Sequence, residues 1–186
     1  MKRKIIISII VVLILVGGGF FWWENQKDVR ELNKNLPEGV RIVKTITGDY
    51  KVVNKIDGYE FKVPKEWRGV KEIEYIPERE AEGYKGTSLS IEGIKGVGRS
   101  VGIDRYIAGG DMKTDLESWA QLNFNTFGLA GTFTEEKVGN FNVVKTREEI
   151  HLFGEYVYFF KEALTIYAIT GGSEEFIRYI IANGKW

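Results

Sequence analysis

The chain contains no cysteine, and its only histidine is His151. Without cysteine it can form neither a disulfide framework nor a thiolate zinc site, and it offers neither a thiol nucleophile nor a sulfur for lipid attachment. A catalytic or metal-binding histidine is usually oriented by partner side chains, and only carboxylates could serve that purpose here. We therefore interpret His151 as a residue of a loop or a strand end.

An excess of positive charge is also absent. The chain has 26 Lys and Arg residues and 26 Asp and Glu residues. Three of the basic residues, Lys2, Arg3 and Lys4, stand together at the N-terminus, so the remainder is slightly acidic. Because a phosphate backbone is bound by a concentrated basic surface, we do not expect a nucleic acid partner.

Complete dinucleotide-binding and calcium-binding motifs are missing as well. The stretch GIKGVGRSVG (93–102) contains Gly-x-Gly without the remaining spacing or a following helix, so it is predicted to be a loop or hairpin. Arg99 and Arg105 beside it could face an anionic partner. We predict no catalytic, cofactor-binding or metal-binding residue and no cofactor. The main acidic groups are interpreted as solvated charges: Glu78, Glu80, Glu82, Glu135, Glu136, Glu148 and Glu149.

What the chain does have is a long apolar run at its start. Residues 5–23 carry no charge, and Ser8 is their only polar side chain. As a helix this run would be roughly 28 Å long, close to the ~30 Å of a bilayer's hydrocarbon core. The basic residues before it hold the N-terminus in the cytoplasm, and the aromatic residues at its end favour the interface. We predict a cytoplasmic tip (1–4) and a single transmembrane helix (5–23) in the lipid bilayer, with the rest of the chain outside.

Two alternatives compete with a retained anchor. A cleaved signal peptide has an apolar region of ~7–15 residues and a cleavage site of small residues. The glycines at 17–19 are the only candidate site, and cleavage there would leave a Phe-Phe-Trp-Trp terminus. A type IV pilin leader needs a glutamate near the start of the apolar run, and none is present. We favour the anchor, and the secreted soluble domain stays open as the alternative.

The polar segment at 24–39 is interpreted as a stalk or linker. Val29, Leu32 and Leu36 recur at a helical spacing, which predicts a short helix beside the membrane. Pro37 and Gly39 are expected to end it.

From residue 40 onward the apolar residues alternate, which predicts strands. Asp57-Gly58 lies between two alternating runs and indicates a hairpin, with Tyr59, Phe61 and Val63 on one face. The last two strands are apolar on both faces, as central strands are, and are predicted to turn near Lys161-Glu162. Further strands are predicted at 73–76, 87–91, 132–138, 141–150, 156–160 and 164–170.

Two helices are predicted in the second half of the chain. TDLESWAQLNF has Thr114 as N-cap with Glu117 three residues on, which is a capping box. GGSEEFIRYIIANGKW has Ser173 as N-cap and Gly184 as a left-handed C-terminal residue. Strands with a few helices predict an α+β fold, an antiparallel sheet covered by helices. Most of seven aromatic residues are expected in its core, with a groove lining as the alternative for some of them: Trp67, Trp119, Tyr156, Tyr158, Phe159, Phe160 and Tyr167. Trp186 is expected to pack on the sheet or in an interface.

Five stretches follow one another in this part of the chain: DGYEFKVPKEW, DLESWA, GNFNVVKT, EYVYFFKEALTIYAIT and EEFIRYI. In order and spacing, over residues 50–183, they resemble the PsbP-like family. The resemblance implies an α-β-α sandwich on an antiparallel sheet, an architecture shared with Ran-binding relatives, for the domain at 40–186. The best-known members are extrinsic subunits at a thylakoid membrane, and others are non-catalytic binding or assembly factors. The segment that docks the photosynthetic members is not recognisable here, so the resemblance implies the fold alone and transfers no functional residue.

These features together predict a membrane-anchored, extracytoplasmic, PsbP-like binding or assembly module without catalytic activity. Its expected partner is a protein at the membrane or envelope. An extracytoplasmic, carboxylate-dependent hydrolase is the second hypothesis, because glutamates are abundant. Such an enzyme would need two carboxylates that converge in a cleft.

Overall fold

The computed structural model describes residues 12, 16–19, 23–24, 26–67, 69–81, 84–97, 100–107, 115–124, 133–147 and 156–186, without the side chains of 79–81, 84–85, 122–124 and 147. Most of the predicted anchor lies outside these residues. Within them, no helix is both long enough and apolar enough to span a bilayer. The transmembrane helix at 5–23 therefore stays a prediction.

The fold is α+β, as predicted, and contains two antiparallel sheets. The small sheet has the order β1-β2-β3, and the large sheet has the order β4-β5-β6-β10-β9-β8-β7. The elements are α1 (Lys27–Asn33), β1 (Val40–Lys44), β2 (Tyr50–Asn54), β3 (Tyr59–Val63), a 3₁₀ turn (Lys65–Trp67), β4 (Glu72–Ala81), β5 (Tyr84–Glu92), β6 (Ser100–Ile107), α2 (Leu116–Phe124), β7 (Thr134–Val138), β8 (Phe141–Arg147), β9 (Tyr156–Glu162), β10 (Thr165–Gly171) and α3 (Glu174–Asn183).

The large sheet is buried on both faces at its centre. Strand β10 is the middle strand, and it pairs with β6 on one side and β9 on the other. Tyr158 and Phe160 of β9 belong to one apolar cluster, whereas Val157 and Phe159 belong to another on the opposite face. The prediction that these apolar strands are central is confirmed.

The small sheet covers part of one face, where the sequence predicted only helices. The alternation in β3 buries Tyr59, Phe61 and Val63, as predicted, and these side chains join the apolar cluster of the large sheet. Helix α3 belongs to the same cluster, while Trp119 and Ala120 of α2 belong to the cluster of the opposite face. The large sheet is therefore the middle of three layers.

The segment before the small sheet is packed against it. Val29 of α1 is buried, and the side-chain amide of Asn33 donates to the carbonyl of Ile42 and accepts from its N–H, at 2.8 Å each. This amide occupies the two hydrogen-bonding groups of Ile42 on the edge strand β1, where another chain could otherwise pair. Asp28 pairs with Lys44 at 3.2 Å and accepts a hydrogen bond from Tyr50 at 2.6 Å. Whether 24–39 acts as a stalk stays a prediction, but α1 itself is held by the domain.

One strand was not predicted. Ser100–Ile107 forms β6, between β5 and β10, although residues 93–102 were expected to form a loop or hairpin. Only residues 93–97 precede it as turn and irregular backbone among those described. The glycines concealed the start of the strand, because glycine is depleted in strands. The expectation was wrong from Ser100 onward.

The helix termini confirm one predicted cap and correct two other details, and one predicted strand turn is displaced. Ser173 caps α3 as predicted, since its Oγ accepts from the N–H of Phe176 at 3.3 Å. Asp115 caps α2, whereas Thr114 lies outside the described residues. Gly184 is extended (φ −76°, ψ 165°) and not left-handed, because the chain continues straight to pair Lys185 with Glu60. The β9–β10 turn is at 163–164, two residues later than predicted.

Candidate functional site

A groove lies where the small sheet meets the large one, and we call it the junction groove. Its volume is about 740 Å³, within the range of ligand sites in proteins. The chain after α1, the β2–β3 turn and strands β4, β5 and β6 all contribute to it. Its main lining residues are Lys34, Leu36, Ile56, Asp57, Tyr75 and Arg105.

Asp57 lies in the β2–β3 turn and points inward. Its N–H donates to Asn54 Oδ1 at 2.9 Å, and Asn54 Nδ2 donates to its Oδ2 at 2.6 Å. Gly58 follows with φ +83°, a conformation that glycine adopts without strain. The turn therefore holds a carboxylate beneath the small sheet, with only 2% of its side chain exposed.

Three neighbouring strands of the large sheet face this carboxylate. Thr87 of β5 donates its hydroxyl hydrogen to Asp57 Oδ1 at 2.7 Å, and Tyr75 of β4 approaches the same oxygen at 3.5 Å. Arg105 of β6 is the cross-strand partner of Thr87, and its Nη1 lies 3.6 Å from Oδ1. We call this set, with Asn54, the Asp57 cluster. It ties the turn of the small sheet to the large sheet.

Tyrosine hydroxyls support the same cluster. Tyr167 of β10 donates to the backbone carbonyl of Asp57 at 3.2 Å. Burial raises the pKa of Tyr75, and the negative charge of Asp57 raises it further. Burial also raises the pKa of Tyr167, against an opposing effect of Arg105. Both phenols therefore stay protonated and act as donors at neutral pH.

Arg105 is only partly satisfied by these contacts. A separation of 3.6 Å forms an ion pair but not a hydrogen bond. Its Nε is buried and has no acceptor in the described part of the chain. A guanidinium has five N–H donors in a planar fork that matches a carboxylate. The sequence marked Arg105 as a residue that could face an anionic partner, and the structure puts it in the junction groove.

A second polar cluster lies at the start of α3. Glu174 Oε1 accepts from Lys145 Nζ and from the Tyr158 hydroxyl, both at 2.7 Å, and Arg178 pairs with Glu136. The donors Lys145 and Tyr158 hold the pKa of Glu174 below its usual value. Burial, then the bond to Glu174, raises the pKa of Tyr158. We interpret these contacts as a fastening of α3 to strands β7, β8 and β9.

The glutamates chosen from the sequence have different surroundings. Glu78 lines the junction groove, and Glu135 is exposed as expected. Glu136 is half-buried and paired with Arg178, so its interpretation as a solvated charge was wrong. Among the described residues, no group of three or more metal-ligating side chains is arranged to hold an ion. The side chain of Glu80 and residues Glu82, Arg99, Glu148, Glu149 and His151 lie outside the description.

Residues 98–102 also have the spacing Gly-x-Ser-x-Gly, which the sequence reasoning overlooked. In a nucleophile elbow the serine stands in a turn between a strand and a helix. Ser100 instead opens β6, where it pairs with Glu92 of β5, and the chain continues as a strand to Ile107. The backbone that follows Ser100 is therefore not that of an elbow.

Sequence reasoning missed Asp57 as a site residue, because Asp-Gly at a hairpin is explained by the turn alone. The available signal was Asn54, three residues earlier, whose side chain closes the turn with Asp57. No protein-family model matches the chain, and no curated protein or solved structure matches it either. The class that fold and site define is an α+β domain of two antiparallel sheets with a groove at their junction.

Proposed function

We propose that this chain is a membrane-anchored, extracytoplasmic binding or assembly module without catalytic activity, and that its junction groove receives part of a protein partner. The observation that carries the proposal is a groove of ligand size lined by a partly exposed charged group, Arg105, which meets its acidic neighbour Asp57 only at ion-pair distance, 3.6 Å. Because 23% of the Arg105 side chain is exposed, a ligand in the groove can bring an acceptor to it and form a charge-assisted hydrogen bond.

The contacts of Asp57 favour binding over proton transfer. Its Oδ2 accepts from Asn54, and its Oδ1 accepts from Thr87 and faces Arg105. A general acid or base must exchange a proton with its substrate at hydrogen-bond distance. Asp57 is instead occupied with holding the two sheets together.

The packing of α1 supports a domain held close to a membrane. The guanidinium of Arg30 lies 3.8 Å from the ring centroid of Trp23, the last residue of the predicted anchor, and its Nη1 donates to the Trp23 carbonyl at 3.2 Å. Because α1 also packs on β1, the domain would stay near the bilayer, where tethering raises its effective concentration towards membrane-bound partners.

The PsbP-like α-β-α sandwich is part of this proposal. Its support is the layering, in which α2 packs on one face of the large sheet and α3, with the small sheet, packs on the other. The family resemblance adds the expectation of a non-catalytic binding or assembly role.

A carboxylate-dependent hydrolase is the second candidate. The observation in its favour is that Glu78 and Asp57 both line the junction groove. If the chain hydrolyses a substrate, Glu78→Gln should abolish turnover. If it is a binding module, no substrate of a broad ester, peptide and glycoside panel should be turned over, and Glu78→Gln should leave partner capture intact.

Site-specific photo-crosslinking of the full chain in its membrane tests the binding proposal. A photoreactive residue would replace Ile56 at the groove and, as the matched control, Ile46. Both are exposed isoleucines in turns of the small sheet, at its opposite ends, and only Ile56 lines the groove. We expect one protein to be crosslinked through position 56 and not through position 46. Equal crosslinking at both positions, or none at 56, would contradict the proposal.

The anchor is tested separately by carbonate washing of vesicles and by protease added to intact spheroplasts. A retained anchor should resist carbonate, and the domain at 40–186 should be digested from outside. Release by carbonate, or protection of the domain, would contradict the topology. A mature terminus near Phe20 would show a cleaved leader.

A further inference from the structure

Arg105 is the residue from which the identity of the partner's docking group can be inferred. It lies in the second half of β6 and lines a groove that also includes apolar surface from Leu36, Pro37 and Ile56. Its neighbour Asp57 is bonded to Asn54 and Thr87 and meets the guanidinium only as an ion pair, at 3.6 Å. The Arg105 side chain is charged and 23% exposed, so a ligand in the groove can reach it.

The charge of the groove restricts what can satisfy this guanidinium. Lys34 and Arg105 are balanced by Asp57 and Glu78 among the described lining residues. A neutral lining provides no general attraction for a bare anion such as phosphate. An acceptor must therefore reach Arg105 through direct contact, and it must belong to a larger ligand whose apolar part binds to the apolar walls.

The free end of a polypeptide combines these properties. Its carboxylate can accept two parallel hydrogen bonds from a guanidinium, and its last side chain can cover apolar surface. The groove's volume of about 740 Å³ suits a short peptide segment better than a single small acid.

We propose that the junction groove binds the C-terminal carboxylate of a partner protein that ends in an apolar residue, with Arg105 as the group that contacts the carboxylate. This inference rests on the proposed function, since it names the part of the partner that the module recognises. Lys34 at the rim assists by charge, and Leu36, Pro37 and Ile56 contact the terminal side chain.

The test is a fluorescence anisotropy titration of the detergent-solubilised full chain. The probes are a labelled, N-blocked pentapeptide ending in leucine with a free carboxylate, and the same peptide as its C-terminal amide. We expect the acid to bind at least tenfold more tightly than the amide. Equal affinities, or no binding of the acid at millimolar concentration, would overturn the inference.

Variants connect the effect to the groove. Arg105→Gln should remove the preference for the acid. Lys55→Gln changes a charge in the β2–β3 turn, outside the groove lining, and should leave this preference unchanged. Because Arg105→Gln could impair folding, Ile56→Glu provides a second route. Ile56 is exposed, so the new charge should fold normally and weaken binding of the acid at least tenfold. A preference that survives both groove variants would overturn the inference.

A final arm separates the two sources of a carboxylate. Unlabelled 4-methylpentanoate should displace the peptide acid only at concentrations at least a hundredfold higher than unlabelled peptide acid does. If it competes equally well, the site takes a small acid and the peptide inference fails. The proposed function would still stand if crosslinking through position 56 persisted, so the two failures are distinguishable.

Discussion

Two neighbouring parts of the sheet junction are built from opposite chemistry. One is the Asp57 cluster, a set of polar side chains beside an open groove. The other is an aromatic cluster in which Trp186 packs on Tyr59, Phe61, Phe160 and Tyr167, with ring centroids 4.9–6.2 Å apart. The last residue of the chain thus packs back on the sheets, one of the two outcomes expected from the sequence.

Stability and recognition are therefore assigned to different parts of the junction. Aromatic packing buries large apolar areas and needs no ligand. A charged cluster with an unmet donor contributes less to folding and keeps hydrogen-bonding capacity for a partner. We expect changes in the aromatic cluster to affect folding, and changes in the Asp57 cluster to affect folding less and binding more.

The largest effect is expected at Phe61, which is buried between the sheets. Phe61→Ala should lower the free energy of unfolding by about 3–5 kcal/mol, because it removes a large apolar side chain and leaves a cavity. Urea unfolding of the full chain in mild detergent measures this, with the exposed Ile46→Ala as control. A loss no greater than that of the control would show that the aromatic cluster does not hold the sheets together.

Asp57→Ala should destabilise the fold less than Phe61→Ala does, and it should strengthen peptide binding. Removing the carboxylate leaves Asn54 and Thr87 without their acceptor and Arg105 without its ion-pair partner, and should cost about 1–3 kcal/mol of stability. Since Arg105 also loses its acidic neighbour, the peptide acid should bind more tightly. Unfolding and anisotropy titrations on the same sample measure both quantities. A variant that loses both stability and affinity would contradict the division of roles.

Substitution of Ser173, the cap of α3, tests how much this local hydrogen bond contributes to the free energy of unfolding. Ser173→Ala removes the acceptor for the Phe176 N–H and should lower the free energy of unfolding by about 1 kcal/mol. Peptide binding should not change, because α3 does not line the groove. Ser173→Asp, which restores an acceptor, should recover the lost stability in the same urea titration, and failure to do so would exclude capping as the cause.

The smallest effect on stability is expected from Glu60 as the pH falls. Hydrogen bonds from Lys185 and Lys51 lower the pKa of Glu60 from its usual 4.5 to about 2. Because the folded-state pKa is below the unfolded-state value, this stabilisation is present above about pH 4.5 and is lost as the pH falls towards 2. Lys185 is largely exposed, so solvent screening limits the contribution to under about 1 kcal/mol.

Glu60→Gln should therefore reduce the urea midpoint slightly at pH 7 and flatten its decline between pH 5 and pH 3. Glu38→Gln, at an exposed glutamate, is the control. An unchanged decline in the Glu60 variant would show that the two lysines do not stabilise the ionised form.

Much of the fold could be predicted because local patterns determine it. Alternation located β3 and its buried face, and apolar runs located the central strands β9 and β10. The Ser173 cap was also predictable, because a cap is local. Strand β6 was missed because its position between β5 and β10 depends on long-range pairing that a glycine-rich stretch does not reveal.

The candidate site was far less predictable. Arg105 was marked as a cation that could face an anion, but nothing local connected it to Asp57, which lies 48 positions earlier. The connection arises from the packing of the small sheet on the large one, which single-chain periodicity does not encode. Glu136 was misjudged for the same reason, since its partner Arg178 comes from α3.

Hydrogen–deuterium exchange of the full chain, with and without saturating peptide acid, tests the central claim that partners bind at the polar part of the junction. If partners bind there, exchange should slow at residues 34–37 and 55–58 and stay unchanged in the opposite turn at 45–49. Protection at 45–49 with none at the groove, or no protection at all under saturation, would contradict it.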